Sequence, residues 1–273
     1  MLKKVYVEIG NMCNLHCQFC SLGTRKNRLM KASEFEQIAP QIKEFCDFIY
    51  LHVKGEPLMH PELEEILECC NRYKLKVNIT TNGTKISEKL EKLKKFDCIR
   101  QVNISAHAYS EISESDKEKY KSSLKDIVNY VDETRKFFLS IRFWIKNDLV
   151  YNEIMEYLFN NTNIKLEEGT SRIGNNVFLS FDEEFEWPSL NGKFLGTSGK
   201  CKGCREQIAI LANGDVVPCC LDSDGIMVLG NAFEKSFKEI LNFERCLNIK
   251  KGFENNIAYE ELCQKCSYKL KFK

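Results

Sequence analysis

Cys13-Asn14-Leu15-His16-Cys17-Gln18-Phe19-Cys20 places three thiols at C-x3-C-x2-C spacing on a loop that follows the apolar run 5–9. Thiolates spaced this way hold three irons of a 4Fe-4S cluster and leave the fourth without a protein ligand. That open iron is a reaction site. A zinc ion is the competing occupant, because His16 supplies a fourth donor and thiolate with imidazole is an ordinary zinc set. Downstream, Lys54-Gly55-Glu56-Pro57 ends a second apolar run, 48–53. Taken alone, that tetrapeptide reads as a turn before a helix that Pro61 starts.

Working outward, the 273 residues suffice for a sizeable core. With 40 basic and 39 acidic side chains the net charge is +1, which gives no electrostatic reason to expect a nucleic-acid partner. The basic runs 25–28 and 269–273 read as solvated surface. No apolar stretch approaches the roughly 20 residues that span a bilayer, and the amino terminus shows no signal-peptide pattern. A cytoplasmic protein without a membrane partner is the expectation. In that setting the 14 cysteines read as metal ligands and buried thiols rather than disulfides. Cys46, Cys69, Cys70 and Cys98 lie on apolar faces and are assigned to the core.

From residue 4 to about 180, short apolar runs alternate with longer amphipathic ones, the pattern of βα units around a parallel sheet. Strands are predicted at 5–9, 48–53, 75–80, 98–105, 139–145 and 176–181, and helices at 33–45, 62–73, 87–95, 122–136 and 152–160. Six such units make an α/β fold, a partial (β/α)6 TIM-like barrel. Both motifs then fall on loops leaving carboxyl ends of strands, where βα barrels place their chemistry. Near residue 185 the pattern gives way to an acidic, aromatic stretch, so the chain divides into a barrel at 1–185 and a small hairpin-plus-helix domain at 186–273.

That second part carries its own cysteines. Cys201 and Cys204 precede an apolar run, Asn213-Gly214 marks a tight hairpin turn, and Cys219-Cys220 follow it. A later pair, Cys263 and Cys266, completes four thiolates. A four-cysteine zinc ribbon and an iron-sulfur site both suit this arrangement. An amphipathic stretch at 236–243 is expected to pack across it.

Together the cysteine triplet, with Phe19 before its last cysteine, and Gly55-Glu56-Pro57 resemble the radical S-adenosylmethionine (SAM) superfamily. The resemblance implies a partial (β/α)6 barrel in which Cys13, Cys17 and Cys20 hold a cluster whose open iron is chelated by SAM. It implies that Gly55, Glu56 and Pro57 hold the methionine amino group. Thr80, Asn82 and Ser105 would contact the ribose or carboxylate, and Arg142 or Lys146 would pair with that carboxylate. His107, Tyr109 and Arg142 are the candidates to face substrate. The hairpin resembles SPASM and twitch auxiliary-cluster domains, which implies a second 4Fe-4S cluster on Cys201, Cys219, Cys263 and Cys266, with Cys204 the alternative to Cys201.

A flavodoxin- or ferredoxin-type reductant is implied as partner. The implied activity is SAM cleavage to a 5′-deoxyadenosyl radical, followed by a two-electron oxidation with the auxiliary cluster as acceptor. Twitch-type dehydrogenases of a sugar or cyclitol alcohol are the nearest likeness in layout. The alternatives are maturation of a ribosomally made peptide and a non-enzymatic zinc-binding module.

Overall fold

The computed structural model describes residues 2–20, 23–144, 148–160 and 169–272. In chain order the barrel elements are β1 (Lys4–Val7), α1 (Ala32–Phe45), β2 (Phe48–Tyr50), α2 (Leu63–Arg72), β3 (Lys76–Thr81), α3 (Ile86–Leu93), β4 (Ile99–Ser105), α4 (Glu114–Thr134), β5 (Phe138–Trp144), α5 (Asp148–Phe159), β6 (Gly169–Arg172) and β7 (Val177–Asp182). They are followed by β8 (Gln207–Ile210), β9 (Asp215–Val217), β10 (Gly230–Asn231), α6 (Phe237–Leu241), α7 (Glu244–Glu254) and α8 (Glu261–Gln264). One ten-stranded sheet runs β10-β9-β8-β1-β2-β3-β4-β5-β7-β6. Strands β1, β2, β3, β4, β5 and β7 are mutually parallel, as a partial (β/α)6 barrel requires.

Strand alternation assigns the two faces. Val5, Val7, Ile49, Val77, Ile79, Val102, Ile104, Leu139, Ile141, Val177 and Leu179 point toward the helices and join the main core with Phe35, Ile38 and Ile42 of α1. Full burial of such a side chain contributes roughly 1.5–3 kcal/mol, so this face fixes which way each strand is turned. The opposite residues, Lys4, Tyr6, Tyr50, Asn78, Thr80, Gln101, Asn103, Ser140, Arg142 and Ser180, are polar or amphipathic. They line the concave side. The middle of the lumen is therefore polar, while Phe48, Phe138 and Phe178 of the same face lie toward the amino-terminal ends of their strands, Phe138 and Phe178 with ring centres 6.1 Å apart.

Helix α4 begins eight residues before its predicted start at Ser122. Its first two turns are polar and exposed except near Tyr120, and Lys117–Glu114 and Lys121–Glu118 pairs brace them, so no apolar period announces them. Strand β6 had no apolar signal either: all four residues are exposed, and the strand pairs antiparallel to β7. Predicted strand residue Ile145 lies outside the described residues.

The Asn213-Gly214 hairpin forms between β8 and β9, with Gly214 at φ +87° and a Cβ there blocked by the Phe233 ring at 2.5 Å. Residues 183–206 hold no helix or strand, in keeping with the predicted change of pattern. The hairpin nonetheless continues the barrel sheet, because β8 lies parallel to β1 with Lys4 opposite Gln207 and Val7 opposite Ile210. Helix α6 does not pack across the cysteines as expected; the Phe237 ring lies tilted against Phe45 with centres 5.8 Å apart, and the Phe237 N–H donates to Gln41 Oε1 of α1.

Candidate cofactor and cluster site

Cys13, Cys17 and Cys20 occupy the loop between β1 and α1, at the carboxyl end of the parallel sheet. No disulfide consumes them, and Cys17 and Cys20 are half-buried. Burial pushes the Cys17 thiol up to about 12, with Glu111, Cys13 and Cys20 adding to the shift. A cationic iron centre is what such a crowded thiol group fits, since metal binding deprotonates its ligands. His16 is exposed on the same loop.

The Gly-Glu-Pro turn is stitched to this loop. The Glu56 N–H donates to Met12 O at 2.8 Å. Gly55 sits at φ +80°, and a Cβ there would stand 2.3 Å from Gly10 O and 2.9 Å from Met12 O. Only glycine fits this approach. Glu56 is buried at 4 % exposure and accepts from Leu58 N (3.0 Å) and Thr81 Oγ1 (2.7 Å) on Oε1, and from Asn82 N (2.7 Å) on Oε2. All three donors are neutral, and burial raises the carboxyl to about 7. A carboxylate oxygen has two lone pairs, so Oε2 keeps one acceptor position that an ammonium group fits. Pro57 opens a short 3-10 turn over Leu58 and Met59.

Asn82 joins the two motifs. Its amide nitrogen lies 3.6 Å from Cys13 Sγ and 3.0 Å from Asn14 Oδ1, and its oxygen accepts from Thr84 N and Oγ1. Thr80 does not reach this edge; its hydroxyl faces Asn103 in the lumen at 3.3 Å. The neighbouring Thr81 instead braces Glu56, because one step along a strand reverses the face. Ser105 ends β4, half-buried. Lys146 lies outside the described residues.

His107 packs over Trp144 with ring centroids 4.3 Å apart and meets Phe19 edge-on at 4.9 Å. Neither His107 ring nitrogen has a partner, and the Trp144 and Trp187 indole N–H groups are also unpartnered among the described residues. Burial, helped by the Arg142 charge, pulls His107 down to about 4, so the ring is neutral. Phe185 lies between Trp144 and Trp187, completing an aromatic wall beside the cysteine loop. The tryptophans were not singled out from sequence, although Trp187 sits in the acidic, aromatic stretch noted there. Tyr109 is a correction: it turns into the helical layer, bonded to Glu153 and packed on Tyr120, away from the lumen. Arg142 does face the lumen, donating to Asn103 Oδ1 at 2.8 Å.

A buried carboxylate holds the assembly together. Glu8, fully buried in an otherwise apolar run, accepts from Arg25 Nη2 at 2.6 and 2.8 Å, from Lys54 N at 3.3 Å and from Ala212 N at 3.0 Å. Arg25 also donates to Ser223 O, and Arg28 to Ala212 O at 2.7 Å. These arginines, expected on solvated surface, instead anchor the returning limb of the cysteine loop to the carboxyl-terminal hairpin. The signal for this was available: a lone acid inside the apolar run 5–9 needs a partner.

The second constellation assembles from three segments. Cys201, Cys219, Cys263 and Cys266 are each half-buried. Burial raises all four thiols, and mutual repulsion adds to it: Cys201 acts on Cys219, Cys263 and Cys266, and Cys263 on Cys219. Cys204 is buried at 4 % exposure beside buried Cys246, and the charges of Cys219 and Cys263 also act on it. Among the described residues no three or more Cys, His, Asp or Glu side chains close around a single metal-ion position, and four thiols are the donor set of a 4Fe-4S cluster.

Comparison with known proteins agrees with this architecture. A profile of the radical SAM superfamily matches residues 7–162, and one described as an iron-sulfur cluster-binding domain, SPASM, matches residues 201–267. GTP 3',8-cyclase of Aquifex aeolicus is 30% identical over 115 residues, 39% of this chain and 36% of that protein. A probable GTP 3',8-cyclase of Methanococcus maripaludis is 30% identical over 108 residues, 38% and 36% of the two chains. The chain thus spans about a third of the length of these curated relatives.

Among solved structures, BtrN in complex with AdoMet and 2-DOIA superposes with TM-score 0.61 at 19% identity, covering 98% of this chain and 93% of that one. Streptococcus suis SuiB bound to precursor peptide SuiA gives TM-score 0.56 at 17% identity, covering 97% and 71%. These likenesses show the fold. Among the described residues no helix is long and apolar enough to cross a membrane. Because the first profile spans more than half of the 273 residues and the second follows it, the chain belongs to the radical SAM superfamily, with a SAM-binding 4Fe-4S cluster and an auxiliary cluster.

Proposed function

We propose that this protein is a radical SAM oxidoreductase that dehydrogenates an alcohol, sugar or cyclitol hydroxyl. When bound, the cofactors would supply a 5′-deoxyadenosyl radical that takes the carbinol hydrogen atom and an auxiliary cluster that accepts the second electron, the hydroxyl proton leaving to solvent. Cys13, Cys17 and Cys20 would hold the first cluster, and Cys201, Cys219, Cys263 and Cys266 the second.

In this reading the remaining residues bind, orient and shield. Glu56 offers its uncommitted Oε2 position to the methionine ammonium, a charge-assisted bond. Asn82 holds the Cys13 limb of the loop against β3. Phe19, His107 and Trp144 wall the chamber and keep water from the reacting carbon. A flavodoxin- or ferredoxin-type protein would be the reductant.

What supports the proposal is that Cys201, Cys219, Cys263 and Cys266 lie near enough for their charges to act on one another, in the part of the chain that β8 joins to β1, the strand that feeds the first cysteine loop. A four-cysteine cluster has no open iron for substrate, so electron transfer is its natural task. The test is anaerobic reconstitution with assays for iron and for 5′-deoxyadenosine formed from SAM with dithionite. About eight irons per chain and deoxyadenosine formation are expected. Protein that binds zinc and forms no deoxyadenosine would refute the proposal.

A further inference from the structure

Lys4 and Tyr6 of β1, Tyr50 of β2, His52 just beyond it, and Arg142 with Asn103 on β5 and β4 form one group inside the lumen. Lys4 Nζ donates to Tyr6 OH at 2.9 Å and lies 5.1 and 5.3 Å from the Tyr6 and Tyr50 ring centres. The Tyr6 ring is 5.0 Å from Tyr50 and 5.6 Å from His52. On a flat sheet four strand spacings of about 4.8 Å would separate β1 from β5. Curvature narrows that gap: the Arg142 charge acts on Lys4 directly, both cations act on His52, and Tyr6 and Tyr50 act on Arg142.

Neither cation is neutralised by a carboxylate among the described residues. Arg142 is largely shielded from water, and among the described residues its side chain makes one hydrogen bond, to the neutral Asn103 amide. The nearest acid to act on it, Asp182, is engaged by Lys271 at 3.0 Å. Glu206, at the other end, pairs with Lys3 at 2.9 Å. The His52 Nδ1 atom is buried without a partner, and burial with the two cations pulls the ring down to about 3, so it stays neutral. Buried charges are normally paired, and a guanidinium with unclaimed donors matches the two oxygens of a carboxylate or phosphate.

We infer that this chamber is an anion site, in which Arg142 and Lys4 grip a carboxylate or phosphate group of the substrate while Tyr6, Tyr50 and His52 supply neutral polar and aromatic walls. The inference rests on the dehydrogenase reading above and narrows it: the oxidised alcohol belongs to an acidic molecule, a hydroxy or sugar acid or a sugar phosphate, rather than to a neutral or amino-bearing cyclitol. Cys220 lies beside Tyr6 and Lys4, so the gripped group sits toward the auxiliary cysteines and the rest of the substrate extends toward the SAM edge.

The test uses reconstituted holoprotein with SAM present, titrated calorimetrically with succinate and separately with inorganic phosphate. Binding of at least one probe is expected, weakened tenfold or more in both Arg142→Gln and Lys4→Met and partly restored in Arg142→Lys. Lys4→Met keeps an aliphatic stem over the tyrosine rings, so it preserves packing if Arg142→Gln does not fold. A preference for succinate assigns a carboxylate, and a preference for phosphate a phosphoryl group. No binding of either probe, or affinities within twofold of wild type in both variants, overturns the inference. So does an Arg142→Gln protein that loses SAM affinity but keeps probe affinity, since Arg142 would then serve the methionine carboxylate. Deoxyadenosine formation by wild-type protein is scored separately, so failure of the anion site is distinguishable from failure of the radical SAM reading.

Discussion

Glu56 is a buried carboxylate whose three donors are all neutral, so its ionisation depends on what else enters the site. Burial lifts it from near 4.5 to about 7. Between those values the folded protein keeps a proton that the unfolded chain releases, so this group makes the ligand-free protein less stable as pH rises across the window. A bound ammonium favours the ionised form and reverses that cost. SAM should therefore bind roughly fivefold more tightly at pH 7 than at pH 6, by the change in ionised fraction. In Glu56→Gln the affinity should be lower and flat over the same range; equilibrium dialysis of reconstituted protein decides, and an equal slope in both proteins removes Glu56 from the ammonium contact. Gly55 gives a steric counterpart. Gly55→Ala forces a side chain into φ +80° and against the Gly10 and Met12 carbonyls, with about 1–2 kcal/mol from the backbone alone, and should abolish measurable SAM binding. Much of this site was legible as residue types, because thiols, the glycine and the acid announce their chemistry. The Thr81 hydroxyl as a donor to Glu56 was not, since telling its face from that of Thr80 requires knowing which side of β3 meets the helices.

The cysteine loop is held as an element by the Glu8–Arg25 pair, which joins it to the Gly-Glu-Pro turn and the carboxyl-terminal hairpin. Replacing one member of a buried pair strands the other charge, at a cost of about 3–5 kcal/mol. Arg25→Met should therefore lower the urea midpoint by that equivalent and reduce iron at the first site, leaving the auxiliary site loaded. A midpoint unchanged from wild type would show that Glu8 finds another partner. Elements with an apolar stripe were readable: the six parallel strands and α1 to α3 lie within a few residues of their predicted spans. Those stabilised by charge pairs or by a neighbour's edge were not. The first turns of α4 rest on Lys117–Glu114 and Lys121–Glu118, and β6 on its hydrogen bonds to β7.

At the scale of the molecule, the pairing of β8 with β1 makes the hairpin an extension of the barrel sheet. The composition change near residue 185 showed where the chain leaves the barrel, but strand pairing partners are not written in either strand's own alternation. One consequence is that the auxiliary thiols are set by the same sheet that sets the first loop, so removing their metal should leave the barrel standing. In a Cys263→Ala/Cys266→Ala double variant, iron should fall from about eight to about four per chain, and dithionite should still drive deoxyadenosine formation from SAM. If the second cluster takes the substrate's second electron, this variant still removes a hydrogen atom but cannot finish the oxidation. Deoxyadenosine would then accumulate without the oxidised product, and a deuterated substrate would return its label in deoxyadenosine or in re-formed substrate. Oxidised product at the wild-type ratio to deoxyadenosine would exclude the auxiliary cluster as the electron acceptor while leaving the radical SAM assignment intact.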